Sequence, residues 1–350
     1  TMDLIIYTKY NVAAKICGKV YNILKDNIMS GKVLGLRTLE TLGDEKIKDE
    51  CKQVYKQLKN KGIAFPISIS LNNCVGNYTY ENRNDEYNII KNGDVVKIEL
   101  GVNIDGCIAV LGETIVYDES TNETTENDKD ENDKDENKEN TKYIEFLNKL
   151  QKDIVKIIKH GEINDEVKMY IESKCTDLSC FPVENSISYQ HFDSKLSTDS
   201  SKYIITNYKK YYDDEDVLIS KENLCFEFEK GEVYTINLTI IQNNSENETE
   251  HYYIEPHQPH IYRFNEYFYN LKLASSKSFC SVIHEQYQKN AFDCVPYKDK
   301  PKYKFGIKES LEKGILIQYP VYYSKDRCTV FHKKFTIVVN ENGSNILRYF

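Results

Sequence analysis

The sequence predicts an α+β fold, and three features carry that expectation. Near the N-terminus apolar residues recur every three to four positions, as on one face of a helix. Between residues 64 and 116, short apolar runs are joined by Asn-Gly and Asp-Gly turns, as in antiparallel strands. Further helix-type and strand-type segments follow, and a length of 350 residues is enough to bury a large core.

Val12, Ile16, Val20 and Ile23 describe one face of a helix beginning near Thr8. Ile47, Cys51, Val54 and Leu58 describe a second, expected to run to Asn60-Lys61-Gly62, where glycine supplies a left-handed stop. Residues 64–71 and 95–102 read as strands. The second is entered through an Asn92-Gly93-Asp94 turn and followed by an Asp105-Gly106 hairpin into 107–116. The polar segment between them carries Asn72, Asn73 and Asn77, a candidate pocket floor. Residues 118–142 contain no apolar side chain and cannot offset their ordering entropy, so a disordered acidic insertion is expected there. Helices are expected over 143–160, with Ile144, Leu147, Ile154 and Ile158 inward, and over 164–174. Residues 177–183 lead back to the sheet, 192–222 read as a polar loop with an edge strand, and 233–241 as a strand. Helices at 275–289 and 304–313, the latter stopped by Gly314, precede strands at 315–321 and 329–339.

Ten cysteines lie without a repeated spacing and read as reduced thiols of a cytosolic protein; the nearest pair, Cys175 and Cys180, is not a CxxC motif. No apolar run approaches the roughly 20 residues of a membrane span, and no N-terminal export signal is legible. Walker, GxSxG and GxGxxG motifs are absent, which excludes the corresponding nucleotide-binding and hydrolase readings. His251, His257 and His260, in a proline-containing stretch, and the acidic run at 213–216 read as solvated loops. The net charge of −9 is unevenly spread. Residues 118–142 hold eleven acidic residues against four lysines, whereas residues 263–334 hold fourteen basic residues against seven acidic.

The string GIAFPISISLNNCV at 62–75, followed by KNGDVVKIELGVNIDG at 91–106, resembles the type II methionine aminopeptidases of the peptidase M24 family. YTKYNVAAKICGKV before them, and GEVYTINL and KKFTIVV after them, extend the match in the same order. Within that family the sequence most resembles the non-catalytic relatives, the proliferation-associated (ErbB-binding) proteins. The resemblance implies a pita-bread (creatinase/aminopeptidase-like) fold, a pseudo-symmetric curved antiparallel sheet backed by helices with a pocket on its concave face. It further implies a single domain over 1–350 carrying a helical insert subdomain at 263–325.

Enzymes of this family hold two divalent metals on the concave face with two Asp, one His and two Glu, hard and borderline donors suited to that task. Carried over singly, the first Asp falls on Glu99 and the second on Val110. The His falls on Tyr189, with His191 two residues on; the two Glu fall on Asn237 and Lys334. A further pocket His falls on Asn77. One anionic ligand of five survives, so the resemblance implies no metal, no cofactor and no peptidase activity. Glu99 and Lys334 are expected either to form an internal ion pair or to reach solvent separately.

Lys298, Lys300, Lys302 and Lys304 alternate with Tyr297, Tyr303 and Phe305, and Lys308 and Lys313 follow. Such a cluster suits phosphate neutralisation and base stacking, or else it is a lysine-rich loop whose tyrosines pack inward. Proliferation-associated relatives bind ribosomes near the nascent-chain exit and bind structured RNA. The resemblance therefore implies a cytoplasmic protein, nuclear or nucleolar as well, that binds the large ribosomal subunit, its rRNA and other structured RNA or proteins, without a membrane. Contacts through the lysine-rich tail of longer relatives are not expected, since none follows Phe350. The rival readings are a peptide-binding module using a metal-free cleft, a residual methionine aminopeptidase, and a scaffold working through the acidic insertion.

Overall fold

The computed structural model describes residues 2–80, 88–119, 131–184, 186–191, 202–207, 225–242, 259–265, 271–298, 300–324 and 327–350, with 131–136 described as backbone alone. Helix α1 spans Leu4–Met29, opened by Asp3, whose carboxylate accepts the Ile5 amide. Its buried face takes in Ile16 and Val20 of the expected stripe together with Ala13, Ala14, Cys17, Leu24 and Ile28, while Val12 and Ile23 lie at its edge, half-buried. Small residues allow this. A side chain at Gly18 would meet the Tyr349 backbone at 1.8 Å, so the C-terminal segment lies directly on the helix.

Helix α2 spans Leu36–Gln53 and stops well short of the predicted Asn60-Lys61-Gly62 signal. Val54 is already extended and Tyr55 has φ 40°. Lys61 ends the helix from a distance, its Nζ donating to the Val54 and Tyr55 carbonyls at 2.6 and 3.0 Å. Strands β1 (Lys61–Leu71), β2 (Cys74–Gly76), β3 (Val95–Ile104) and β4 (Cys107–Val116) follow, and the last two form a two-residue hairpin with Asp105 and Gly106 both at positive φ.

Helix α3 spans Glu131–Ile157, which corrects the expectation of disorder up to residue 142. Its early turns are held to the body, since Asn140 is 3% exposed and Tyr143 stacks on Phe331 at 5.0 Å. Residues 120–130 of the expected insertion lie outside the described residues. Then come α4 (Asn164–Asp177), β5 (Cys180–Pro182), β6 (Ser186–Gln190), β7 (Tyr203–Thr206) and β8 (Val233–Gln242). After β9 (Ile261–Phe264) the polypeptide forms α5 (Ala274–Tyr287), β10 (Phe292–Asp293), α6 (Val295–Lys298) and α7 (Pro301–Glu312). The strand expected over 315–321 is confined to β11 (Leu316–Gln318), because the backbone then turns to pair β12 (Tyr322–Tyr323) with β2. Finally β13 (Val330–Asn340) and β14 (Gly343–Ile346) return to the sheet.

The main sheet runs β1-β3-β4-β13-β8-β6-β7, with every pair antiparallel. Alternation along the strands sends Ile98, Leu100, Leu111, Phe335, Leu238 and their neighbours into one large core with α1 to α4. The other face carries a polar row with Ser68, Glu99, Lys334 and Asn237, beside a smaller apolar cluster of Phe65, Ile108 and Val110. A second, smaller layer (β10-β9-β11 with α5 to α7) has its own core of Tyr262, Phe279, Ile283, Phe292, Tyr297 and Tyr303. It joins the main sheet through Ala291, whose amide donates to the Ala64 carbonyl at 2.9 Å, and helix α2 through Arg37, which is 2.6 Å from Asp293 and 3.1 Å from Glu40.

Candidate functional site

Strand register gathers the site on the polar face. Ser68 on β1 pairs with Glu99, Glu99 with Gly112, Gly112 with Lys334 and Lys334 with Asn237, so one row of residues crosses five strands. Residues at paired positions share a face. Lys334 Nζ stands 2.5 Å from Glu99 Oε2, with the Lys334 side chain 15% and the Glu99 side chain 7% exposed. Gly112 makes this contact possible. A Cβ there would lie 2.9 Å from Lys334 Cβ, so glycine leaves the lysine free to cross β4 and reach the carboxylate. Nothing in the local sequence around Gly112 signals this role, which exists only once β4 lies between β3 and β13.

The remaining predicted positions fall around the row. Asn237 is braced, its amide donating to Ser188 Oγ at 2.9 Å and its Oδ1 accepting from Thr239 at 2.7 Å. Val110 packs with Phe65, Ile108, Ile261 and Ala291 beside Tyr189. Tyr189 lies opposite Thr235 and stacks on His191 with ring centroids 5.6 Å apart; burial pushes its phenol well above the ordinary value. The His191 ring contacts Thr235 Oγ1 at 2.7 Å, and burial depresses its pKa to about 3, so it is neutral. From Thr235 the hydroxyl contact continues to Thr336 at 3.2 Å, and Thr336 Oγ1 accepts the Val110 amide at 3.0 Å. Asn77 is engaged elsewhere, donating to the Pro320 carbonyl at 3.0 Å.

Two cationic or basic side chains on this face escaped the sequence reading. Lys97 is 1% exposed, donates to the Asn72 carbonyl at 2.8 Å, and is held by burial at a pKa of about 7. His332, 2% exposed, is kept neutral by burial and by Lys334 and Lys97. Both lie one row from the Glu99–Lys334 pair, bound to Thr114 by register or by hydrogen bond. They look ordinary in a strand sequence because only burial makes them unusual.

A pair of divalent cations would need several carboxylates here. The donor set offers one carboxylate, held by an ammonium, with a carboxamide, a phenol and an aliphatic side chain. It does not fit the metals that the resemblance associates with this face. Among the described residues, no group of three or more His, Cys, Asp and Glu could hold a metal ion.

The lysine cluster is divided by the structure. Lys300, Lys302, Lys304, Lys308 and Lys313 are exposed on and around α7, whereas half-buried Lys298 donates to His260 Nδ1 at 2.5 Å. Tyr297 and Tyr303 are 6% and 4% exposed, so of the two expected arrangements they take the one in which they pack inward and do not present their rings to bases. They belong to the second core, and Lys300 and Lys302 cover them at 5.1 and 4.6 Å from the ring centroids. Phe305, 66% exposed among Lys302, Lys304 and Lys308, is the aromatic that α7 presents to solvent. Cys175 and Cys180 are both buried, with the Cys180 thiol donating to the Cys175 carbonyl at 3.5 Å. His251, His257 and residues 213–216 lie outside the described residues.

Comparison with known proteins follows the same lines. The profile of metallopeptidase family M24 matches residues 8–250. The sequence is 29% identical to proliferation-associated protein A of Dictyostelium discoideum over 98% of its own length and 82% of that protein. A thermophilic Arx1 superposes with a TM-score of 0.77 at 19% identity, covering 99% of this protein and 91% of the other. A methionine aminopeptidase of Thermotoga maritima gives 0.57 at 15% identity, covering 99% and 98%. These structures share its pita-bread fold.

Proposed function

Because the chain belongs to metallopeptidase family M24, its departures at the metal-ligand positions bear on its role, and we propose that it is a non-catalytic member that binds the large ribosomal subunit and structured RNA. Its work lies in translation and growth control. The reading is carried by the exposed lysine face around α7, where Lys300, Lys302, Lys304, Lys308 and Lys313 and the ring of Phe305 are all exposed within 263–325. Lysines at this spacing neutralise phosphates, and an exposed phenylalanine stacks on an unpaired base. The Glu99–Lys334 pair supports the non-catalytic half, because an ammonium stands where the family places a carboxylate.

Co-sedimentation of the full-length protein with purified ribosomes over a salt series tests the proposal. The expected result is association with the large subunit that weakens steeply with salt, with a shallower slope once Lys300, Lys302, Lys304 and Lys308 are changed to Glu. Binding that ignores those four changes removes α7 from the interface, and no binding at low salt removes the ribosome. Turnover of a Met-Ala peptide with added cobalt or manganese would restore the aminopeptidase reading. A peptide α-amine seeking Glu99 would first have to displace Lys334, which weighs against the cleft as a peptide site.

A further inference from the structure

A polar cavity of about 550 Å³ opens at the rim of the main sheet, away from the Glu99–Lys334 row. Four separate segments build it: Asn72 and Asn73 after β1, the 92–94 turn, Asn137 and Asn140 on α3, and Arg327 and Thr329 before β13. Its polar groups divide into two sets. One set is already engaged and rigidifies the rim. Asn72 accepts the Val95 amide at 2.9 Å and donates to Asp94 at 2.8 Å, Asp94 also accepts the Lys91 amide at 2.7 Å, and Asn92 accepts the Glu119 amide at 2.9 Å.

The other set is unengaged. Among the described residues, no hydrogen bond or ion pair is made by the side chains of Asn73, Asn137, Asn140 or Arg327. Asn140 is the most enclosed of them, 3% exposed, and it lines the cavity with no side-chain partner among the described residues. Its carboxamide keeps access to the cavity, where water or a ligand can hydrogen-bond it. Arg327 adds one full positive charge to carboxamides that both donate and accept.

We propose that this cavity binds the carboxylate of a peptide, with Arg327 taking the carboxylate and Asn73, Asn137 and Asn140 pairing with the adjoining backbone amides. The chemistry selects this class. Among the described residues of the lining Arg327 is the single cation and Asp94 is already present, so a monoanion suits the site better than a phosphate dianion. Among the described residues, no aromatic side chain lines the cavity to stack on a base or a sugar. The carboxylate can come from a peptide C-terminus or from an Asp or Glu side chain, and the test separates the two. The proposal is independent of ribosome binding.

Isothermal titration of the full-length protein with three peptides tests it: Ac-Gly-Ala-Ala-Ala with a free C-terminus, the same peptide as its C-terminal amide, and Ac-Gly-Asp-Ala-Ala-amide. One-to-one binding of a carboxylate-bearing peptide is expected, with the first amide at least about tenfold weaker, as for loss of a charge-assisted pair. Preference for the first peptide assigns a terminal carboxylate, and binding of the third assigns a side-chain carboxylate. Arg327→Gln, at an exposed position that leaves the core intact, should weaken whichever binds by about tenfold. No saturable binding up to several millimolar, or binding equal in wild type and Arg327→Gln, overturns the proposal.

Discussion

The Glu99 carboxylate is almost wholly withdrawn from water, and Lys334 is the cation that compensates it. Removing one member leaves the other charged and buried, at a cost of about 3–5 kcal/mol, whereas removing both restores neutrality. Lys334→Met is therefore expected to destabilise the protein by about 3 kcal/mol in urea unfolding, and Glu99→Gln with Lys334→Met to recover most of the loss. Gly112→Ala should act in the same direction, since its methyl would displace Lys334. A loss in the double variant equal to the sum of the losses of Glu99→Gln and Lys334→Met alone would show that the two charges are not coupled. The positions of the pair were legible because KIELG and KKFT are short local strings with family counterparts. The contact between them is one of the two alternatives that the resemblance left open, and the register that decides it, with the part that Gly112 plays, was not legible. It depends on two strands more than two hundred residues apart meeting across a third, and no local pattern encodes that register.

Elements with a strong period were legible to within a few residues, and those ended by distant contacts were not. Strand β4 spans the predicted 107–116, because a two-residue turn and alternating burial fix both ends. Helix α2 ends early because Lys61, eight residues beyond Gln53, supplies the terminal donor. Helix α3 starts early because part of a segment without apolar residues docks on the body through Asn140. The seam between β4 and β13 is likewise closed from afar, by the penultimate residue. Tyr349 donates its hydroxyl to the Val110 carbonyl at 2.5 Å and accepts the Thr336 amide at 2.9 Å. Tyr349→Phe keeps the ring and leaves both backbone groups buried without that partner. The expected loss is about 1–3 kcal/mol by denaturant unfolding, with the fold retained. A loss below about 0.5 kcal/mol would mean that water replaces the hydroxyl and that the seam does not depend on it.

Across the whole molecule, charge is separated more sharply than the total of −9 suggests, with acid concentrated at 118–142 and lysine around α7. The part of the acidic stretch that enters α3 contributes to structure through Asn140, so an experiment on charge must leave it intact. Glu123, Glu126, Asp128 and Asp130 precede the helix and can be changed to Gln and Asn without altering the length of the segment. If α7 contacts RNA, removing four negative charges lowers a long-range repulsion that salt already screens over about 8–10 Å. Co-sedimentation of this variant with ribosomes should therefore be stronger than wild type at low salt and converge with it at high salt. Its unfolding free energy should stay within about 0.5 kcal/mol of wild type. Loss of association instead would transfer the contact to the acidic segment and make the protein a scaffold that docks through its negative charge, with the α7 lysines left as a solvated face.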